Sequence, residues 1–325
     1  MNITSSYKSN QLLWLVLKLL TVILCCYFIF INIAFNEELK FIDFHTKMIN
    51  FDIFSSKNVI FMLFFTIINH FLEIKKWKTL TKSVKNNSWF EATEQSLASL
   101  TFSIITPNRI GEYGAKVLYY PNNKRKQILL LNFAGNFYQL AITIILGMIG
   151  LVYLCKYASF SIVLSQNSII IIIALTVVVA IFYSLKEKYS TINDWFSKII
   201  ELLSVKNNKI VILISLLRYL VFSHQFYFLI QCFKLNISYF EAMTAISSVY
   251  LIASCIPILS LFDVALKGSV AIIVFSIFGI DSIQILSITT LMWLLNFAFP
   301  AIVGSYVFFK SLTSTYTWKE RVFKR

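Results

Sequence analysis

The chain has 325 residues, of which 58% are hydrophobic and only 14% are charged, and its mean hydropathy is +0.74. Soluble domains have about 45–50% apolar and about 25% charged residues, so this composition excludes a soluble protein and predicts a membrane protein. The formal net charge of +14 comes from cations in short segments between apolar runs. That pattern is typical of cytoplasmic loops, and we therefore expect no nucleic acid as a partner.

Six apolar segments are predicted to cross the bilayer, which takes about 20 helical residues. They lie near residues 12–35, 59–74, 128–154, 169–185, 210–233 and 283–309. The first segment is too long for a signal peptide and lacks a small-residue cleavage site, so it is predicted to stay as an anchor. The sequence thus predicts an all-α polytopic protein in which residues 1–325 form a single integral membrane domain.

The charges of the loops predict the orientation of the spans. Residues 36–58 contain three lysines and four acids, which indicates an external loop. Basic clusters at 75–85, 124–126, 186–209 and 310–325 indicate internal segments. Both termini are therefore expected in the cytoplasm.

Between the second and third spans, residues 89–120 are flanked by basic clusters on both sides. Their strongly apolar part, residues 97–105, is nine residues long and would reach about 14 Å, half of a hydrocarbon core of about 30 Å. Pro107 then interrupts the helix, and residues 110–120 can return to the starting side. We expect a re-entrant helical hairpin with Pro107 at its apex.

An internal repeat appears when the sequence is shifted by 150 residues. Residues 86–92 (Asn-Asn-Ser-Trp-Phe-Glu-Ala) align with 236–242 (Asn-Ile-Ser-Tyr-Phe-Glu-Ala), five of seven positions being identical, and Pro107 aligns with Pro257. The loop charges give the two units, approximately 59–154 and 210–309, opposite orientations. We therefore expect a second re-entrant hairpin and an inverted repeat, which places a substrate site near the midplane. Two alternatives remain open: chance similarity in a biased composition, and a membrane crossing by residues 260–280.

Charged residues at membrane depth mark candidate functional sites. Arg109 offers a planar fork of donors for phosphate or carboxylate at the start of a half-helix. Glu112 can pair with Arg109 or Lys116, and the second unit has the same acid–lysine spacing in Asp263 and Lys267. These five residues are the predicted substrate-binding set. The alternative is a charge network that only holds the hairpin in place.

Other polar residues in the apolar helices are interpreted as structural. Glu91 and Glu241 are expected to cap helix starts. Interhelical hydrogen bonds or snorkelling charges are expected for His70, Glu73, Arg218 and His224. Asn132, Asn136 and Gln139 form a stripe that could line a cavity or join helices. Five cysteines and three histidines show no metal-ligand spacing, and no nucleotide-binding or nucleophile-elbow motif occurs, so neither a metal nor a cofactor is predicted.

The motifs of the first unit resemble those of the lysylphosphatidylglycerol synthase transmembrane-region family. The resemblance rests on Glu-Ile-Lys-Lys-Trp at 73–77, the Phe-Glu-Ala motif, and Pro-Asn-Arg-Ile-Gly-Glu-Tyr at 107–113. It extends over about residues 12–309, and the second-unit counterpart around Pro257 is degenerate. The resemblance implies a flippase-like membrane module without the soluble aminoacyl-transfer domain of the bifunctional family members.

Together, these patterns favour a lipid flippase-like or lipid-binding protein that acts on an anionic phospholipid or a polyprenyl-linked envelope intermediate. The abundance of Lys, Asn, Ile and Phe suggests an AT-rich bacterial genome, and we expect the protein in the bacterial cytoplasmic (inner) membrane. Its expected partners are membrane lipids, with an envelope-synthesis enzyme as a further candidate. A non-transporting scaffold for such an enzyme is the alternative, and an intramembrane transferase a third; the sequence does not indicate the oligomeric state.

Overall fold

A computed structural model describes residues 53–104, 106, 109–157, 208–256 and 262–314; these residues form helices joined by short turns, with no strand among them. The first unit contains α1 (Ser56–Thr81), α2 (Trp89–Ile104), α3 (Ile110–Leu118), a 3-10 turn (Asn122–Lys124) and α4 (Arg125–Tyr157). The second contains α5 (Asn208–Cys232), α6 (Tyr239–Ser254), α7 (Asp263–Ser276), α8 (Ser282–Trp293), a π-helical turn (Leu294–Ala298) and α9 (Phe299–Ser314).

Four helical segments are long and apolar enough to cross a membrane. They are Ser56–Thr81, Asn122–Cys155, Lys209–Cys232 and Ser282–Phe308, and they agree with the second, third, fifth and sixth predicted spans. The other two predicted spans, at 12–35 and 169–185, lie outside the described residues. The chain is therefore a helical membrane protein with four candidate spans in its described part.

Two shorter helix pairs occupy the places of the predicted hairpins. In the first, α2 packs against α3; in the second, α6 packs against α7. With 14 residues, α7 extends about 21 Å, which is shorter than the hydrocarbon core. Helices α2 and α6 have 16 residues each and begin 150 positions apart. The predicted apex residues, Pro107 and Pro257, lie outside the described residues.

The start of each hairpin is fixed by the same reciprocal cap. The Glu91 amide donates to Ser88 Oγ (3.1 Å), and the Ser88 amide donates to the Glu91 carboxylate (2.8 Å). Ser238 and Glu241 form the equivalent capping box, at 3.3 and 3.0 Å. These side chains satisfy amides that a helix leaves unpaired in its first turn. The capping predicted for both glutamates is confirmed.

Helices from the two units pack crosswise. Helix α1 packs on α5, α2 on α9, and α6 on α4. Close approach is possible because glycines lie at two of these contacts: a Cβ on Gly304 would stand 2.1 Å from the Leu97 carbonyl oxygen, and a Cβ on Gly147 would stand 2.5 Å from Leu251 Cβ. Helices of the first unit therefore pack directly against helices of the second at all three contacts.

Candidate functional site

A cavity of about 780 Å³ lies between the two units and is lined by residues of α1 through α8. Its lining includes polar groups from both hairpins and from the helices that cross between them. The charged residues among them are Glu73, Arg109, Glu112, Lys116, Arg218, Asp263 and Lys267. The cavity therefore brings all five predicted site residues to one place, together with two charges that had been interpreted as structural.

Arg109 precedes the first turn of α3 in a left-handed backbone conformation, with φ 58° and ψ 27°. A residue with a Cβ adopts this region at a cost of order 1 kcal/mol or more, and such residues occur often at binding sites. Its guanidinium Nη2 lies 3.1 Å from Glu112 Oε2, and its side chain is 40% exposed. Arg109 thus presents a cation to the cavity while a carboxylate fixes its orientation.

The helix start beside Arg109 offers fewer free amides than a bare N-terminus. The Gly111 amide donates to Thr106 Oγ1 (2.7 Å), and the Glu112 amide donates to the Arg109 carbonyl oxygen (3.0 Å). A Cβ on Gly111 would collide with the Phe102 carbonyl oxygen, so glycine allows α3 to approach α2 here. These two amides are therefore already paired, which leaves the guanidinium as the donor that faces the cavity.

Glu112 and Lys116 are buried one turn apart on α3. Lys116 Nζ donates to Glu112 Oε1 at 2.7 Å and to Asn132 Oδ1 at 2.8 Å, and it lies 4.2 Å from the centre of the Trp77 ring. The lysine is thus held by a carboxylate, an amide and a cation–π contact. This geometry suits a residue that positions Glu112.

Asp263 and Lys267 form the corresponding pair at the start of α7. Their charged atoms are 2.7 Å apart, and both side chains are partly exposed in the same cavity. No arginine of the described second hairpin accompanies them. The second pair is therefore electrically balanced by itself.

A second charged cluster joins α1 to α5. Glu73 accepts hydrogen bonds from Arg218, and its carboxylate lies 2.7 Å from Lys76 Nζ. Arg218 Nε also donates to Asn69 Oδ1 at 3.0 Å. The interhelical role predicted for Glu73 and Arg218 is confirmed. Lys76, which was assigned to a cytoplasmic loop, is instead buried inside α1, since that helix continues to Thr81.

An amide network extends this cluster to the π-helical turn. Asn69 Nδ2 donates to Asn296 Oδ1, and Asn296 Nδ2 donates to Gln225 Oε1, both at 2.8 Å. Gln225 Nε2 in turn donates to Thr66 Oγ1 at 2.9 Å. Sequence reasoning missed Asn69, Gln225 and Asn296. Isolated amides in three apolar helices were the available signal, because each needs a partner in a dry interior.

The polar stripe on α4 both lines the cavity and joins helices. Asn132 binds Lys116, Asn136 donates to Tyr113 Oη at 3.1 Å, and Gln139 donates to the Ser215 carbonyl oxygen at 3.3 Å. Asn136 and Gln139 also line the cavity. Both readings of the stripe that the sequence left open therefore apply. Within the described ranges, no group of three His, Cys, Asp or Glu side chains is placed to hold a metal ion.

No curated protein and no solved structure matches the chain. The sequence profile described as "Lysylphosphatidylglycerol synthase TM region" matches residues 15–304, which is most of the chain. This profile describes a membrane module related to lipid or envelope-synthesis proteins, and the described residues contain no soluble domain. The resemblance seen in the sequence is confirmed, and the chain belongs to the lysylphosphatidylglycerol synthase transmembrane-region family.

Proposed function

We propose that this protein binds the headgroup of an anionic phospholipid or polyprenyl-linked envelope intermediate in its cavity and moves it between leaflets. The observation that carries the proposal is the position of Arg109. Its guanidinium lines the cavity, is oriented by Glu112, and keeps one nitrogen, Nε, without a hydrogen-bond partner among the described residues. A planar fork in a low-dielectric site is suited to bind phosphate.

The inverted repeat would give the cavity access to both leaflets in turn. Gly147 meets Leu251 and the Ser247 carbonyl oxygen, while Gly304 meets Thr101 and the Leu97 carbonyl oxygen. The two partners of Gly147 lie 150 positions after those of Gly304, which is the shift of the sequence repeat. Equivalent crossed contacts in two units are what a pseudo-two-fold arrangement requires, and rocking of one unit against the other then permits alternating access.

The protein belongs, in this proposal, to the bacterial cytoplasmic membrane with both termini inside. It acts on lipids without changing them covalently, and an envelope-synthesis enzyme would supply or consume the lipid it moves. The three charged groups of the first hairpin have separate roles: Arg109 contacts the headgroup, Glu112 orients Arg109, and Lys116 positions Glu112. Asp263 and Lys267 complete the polar lining from the second unit.

Reconstitution into vesicles with fluorescent phosphatidylglycerol tests this function. The wild-type protein should accelerate exchange of the lipid between leaflets, and Arg109→Lys should abolish most of that acceleration because it keeps the charge and removes the fork. Arg125→Lys is the matched control, since Arg125 starts α4 outside the cavity lining.

Three results would contradict the proposal. Unchanged leaflet distribution with the wild-type protein would favour a scaffold. A covalently modified lipid would indicate a transferase. Full activity of Arg109→Lys would place the headgroup site elsewhere.

A further inference from the structure

We propose that the cavity receives a headgroup with two negative charges, a phosphomonoester or a diphosphate, and that Arg218 is its second binding residue. This inference rests on the proposed function and adds to it the charge class of the substrate. It is carried by a pattern that the two buried clusters share.

Each of the two buried carboxylates that line the cavity faces two cations. Glu112 lies between Arg109, at 3.1 Å, and Lys116, at 2.7 Å. Glu73 lies between Arg218 and Lys76, the latter at 2.7 Å. In both clusters, glutamate and lysine share one helix at i,i+3 or i,i+4 spacing. The clusters are thus two copies of one lysine–glutamate–arginine arrangement.

The lysine and the arginine of each cluster differ in their exposure. The side chains of Lys76 and Lys116 are each only 2% exposed, whereas those of Arg218 and Arg109 are 18% and 40% exposed. Both arginines line the cavity, and Arg218 Nη2 bonds no described residue. In each cluster the lysine therefore holds the carboxylate, the carboxylate orients the arginine, and the arginine faces the cavity.

Counting the two clusters together gives four cations and two carboxylates, a surplus of two positive charges. The Asp263–Lys267 pair adds no net charge. Residues 107–108 and 257–261, which lie outside the described residues and connect the two helices of each hairpin in the sequence, contain no ionisable side chain. Two guanidiniums that face one cavity create a positive potential there, and a charge-assisted pair with an anion would neutralise it; within the described part of the chain no further carboxylate does so.

The size of the surplus selects among lipid headgroups. A phosphomonoester carries about −1.5 to −2 charges at pH 7 and neutralises it, whereas a phosphodiester such as phosphatidylglycerol carries about −1. A cationic aminoacyl headgroup would need a free carboxylate. The three carboxylates that line the described cavity are already paired with cations. The geometry thus favours a dianion over both a monoanion and a cation.

Binding to short-chain probes tests the charge class. The full-length protein in phosphatidylcholine nanodiscs would be titrated separately with farnesyl phosphate, farnesyl diphosphate and phosphatidylglycerol, and complexes would be measured by native mass spectrometry. We expect at least one of the two farnesyl probes, each of which carries more negative charge than phosphatidylglycerol, to bind about tenfold or more tightly than phosphatidylglycerol. Arg218→Gln should remove this preference, because it lowers the surplus to one positive charge, while changing phosphatidylglycerol affinity less than about threefold, and Arg125→Gln should retain it.

A second measurement needs no variant. Lowering the pH from 7.5 to 5 protonates a phosphomonoester, whose second pKa is about 6, so binding of farnesyl phosphate should fall toward that of phosphatidylglycerol. Equal affinity for all three probes at pH 7.5, or an unchanged preference in Arg218→Gln, would overturn the inference and leave the proposed function intact. Failure of all three probes to bind would contradict both.

Discussion

The two hairpins carry the same acid–lysine spacing in different surroundings. In α3, Glu112 and Lys116 are almost completely buried and are joined by Arg109, Asn132 and Trp77. In α7, Asp263 and Lys267 have side chains that are 28% and 35% exposed, and among the described residues no other charged group forms an ion pair with them. The charged atoms are 2.7 Å apart in both pairs.

This difference shows that burial, and not spacing, decides what a charge pair does. An exposed pair contributes about 0–1 kcal/mol because water solvates its members separately. A buried pair cannot lose one member without leaving the other unsolvated, which costs about 3–5 kcal/mol. The first hairpin is therefore held together by its charges, whereas the second could lose its pair with little structural consequence.

The largest expected effect concerns the orientation of the hairpins, because labelling of a cysteine from one side is all-or-none. In a cysteine-free background, Lys85→Cys and Asn123→Cys should react only from the cytoplasmic side. Asn236→Cys and Ser276→Cys should react only from outside. All four positions are exposed, and an impermeant maleimide applied to intact cells and to inverted vesicles provides the measurement.

Permeabilised vesicles, in which all four cysteines should react, are the control for accessibility. Asn87 is unsuitable as a probe because its side chain is fully buried and donates hydrogen bonds to Thr81 and Tyr120. Reaction of Ser276→Cys from the cytoplasmic side would mean that the second hairpin crosses the membrane, and the inverted arrangement would then be lost.

The next largest effect is expected from removing one acid of each pair. Glu112→Gln leaves the buried Lys116 and the partly exposed Arg109 without their shared carboxylate, and we expect a loss of about 3–5 kcal/mol of stability. Asp263→Asn, the matched change in α7, should cost no more than about 1 kcal/mol. Thermal unfolding in detergent, followed by size-exclusion chromatography, measures both. Equal losses would show that the Asp263–Lys267 pair is shielded from water as well as the Glu112–Lys116 pair is.

The sequence predicted those features that depend on local pattern. Span positions follow from hydropathy, and the caps at Glu91 and Glu241 follow from the Ser-x-x-Glu spacing. It singled out five charged residues, which line one cavity in the structure, because charges are rare in apolar helices. It did not predict the partners of Lys76 or Asn296, since these depend on which helices pack together. Contacts between residues far apart in the chain, such as Arg218 with Glu73, have no local signature beyond the presence of a charge.

A smaller effect is expected at the glycines where the units cross. Gly304→Ala would place a methyl group 2.1 Å from the Leu97 carbonyl oxygen, and Gly147→Ala would place one 2.5 Å from Leu251 Cβ. Such overpacking costs about 1–3 kcal/mol. Gly114→Ala is the control, because no atom lies within 4 Å of the added Cβ and helix propensity improves. Thermal unfolding should thus rank Gly114→Ala at or above wild type. A tolerated Gly304→Ala beside a damaging Gly147→Ala would indicate that the two crossings are not equivalent.

The smallest effect is expected at the first residues of the hairpins, outside the four candidate spans. A hydrogen bond from Lys85 lowers the pKa of the Glu91 carboxyl, and hydrogen bonds from Ser238 lower that of Glu241. A lowered pKa means that each carboxylate stabilises its cap above its ordinary pKa, and that this contribution is lost as the pH falls through the depressed value.

At pH 7, Glu91→Gln should accelerate amide exchange in the first turn of α2 about twofold, and part of this effect should disappear in high salt because Lys85 is solvent-exposed. Glu241→Gln should give a smaller change that salt does not alter, because Glu241 pairs with no cation among the described residues. Hydrogen exchange measured at pH 7 and over a series of lower pH values provides the test, since each wild-type helix start should approach its glutamine variant only below the depressed pKa of its carboxyl. An equal salt response of the two variants would contradict the role assigned to Lys85.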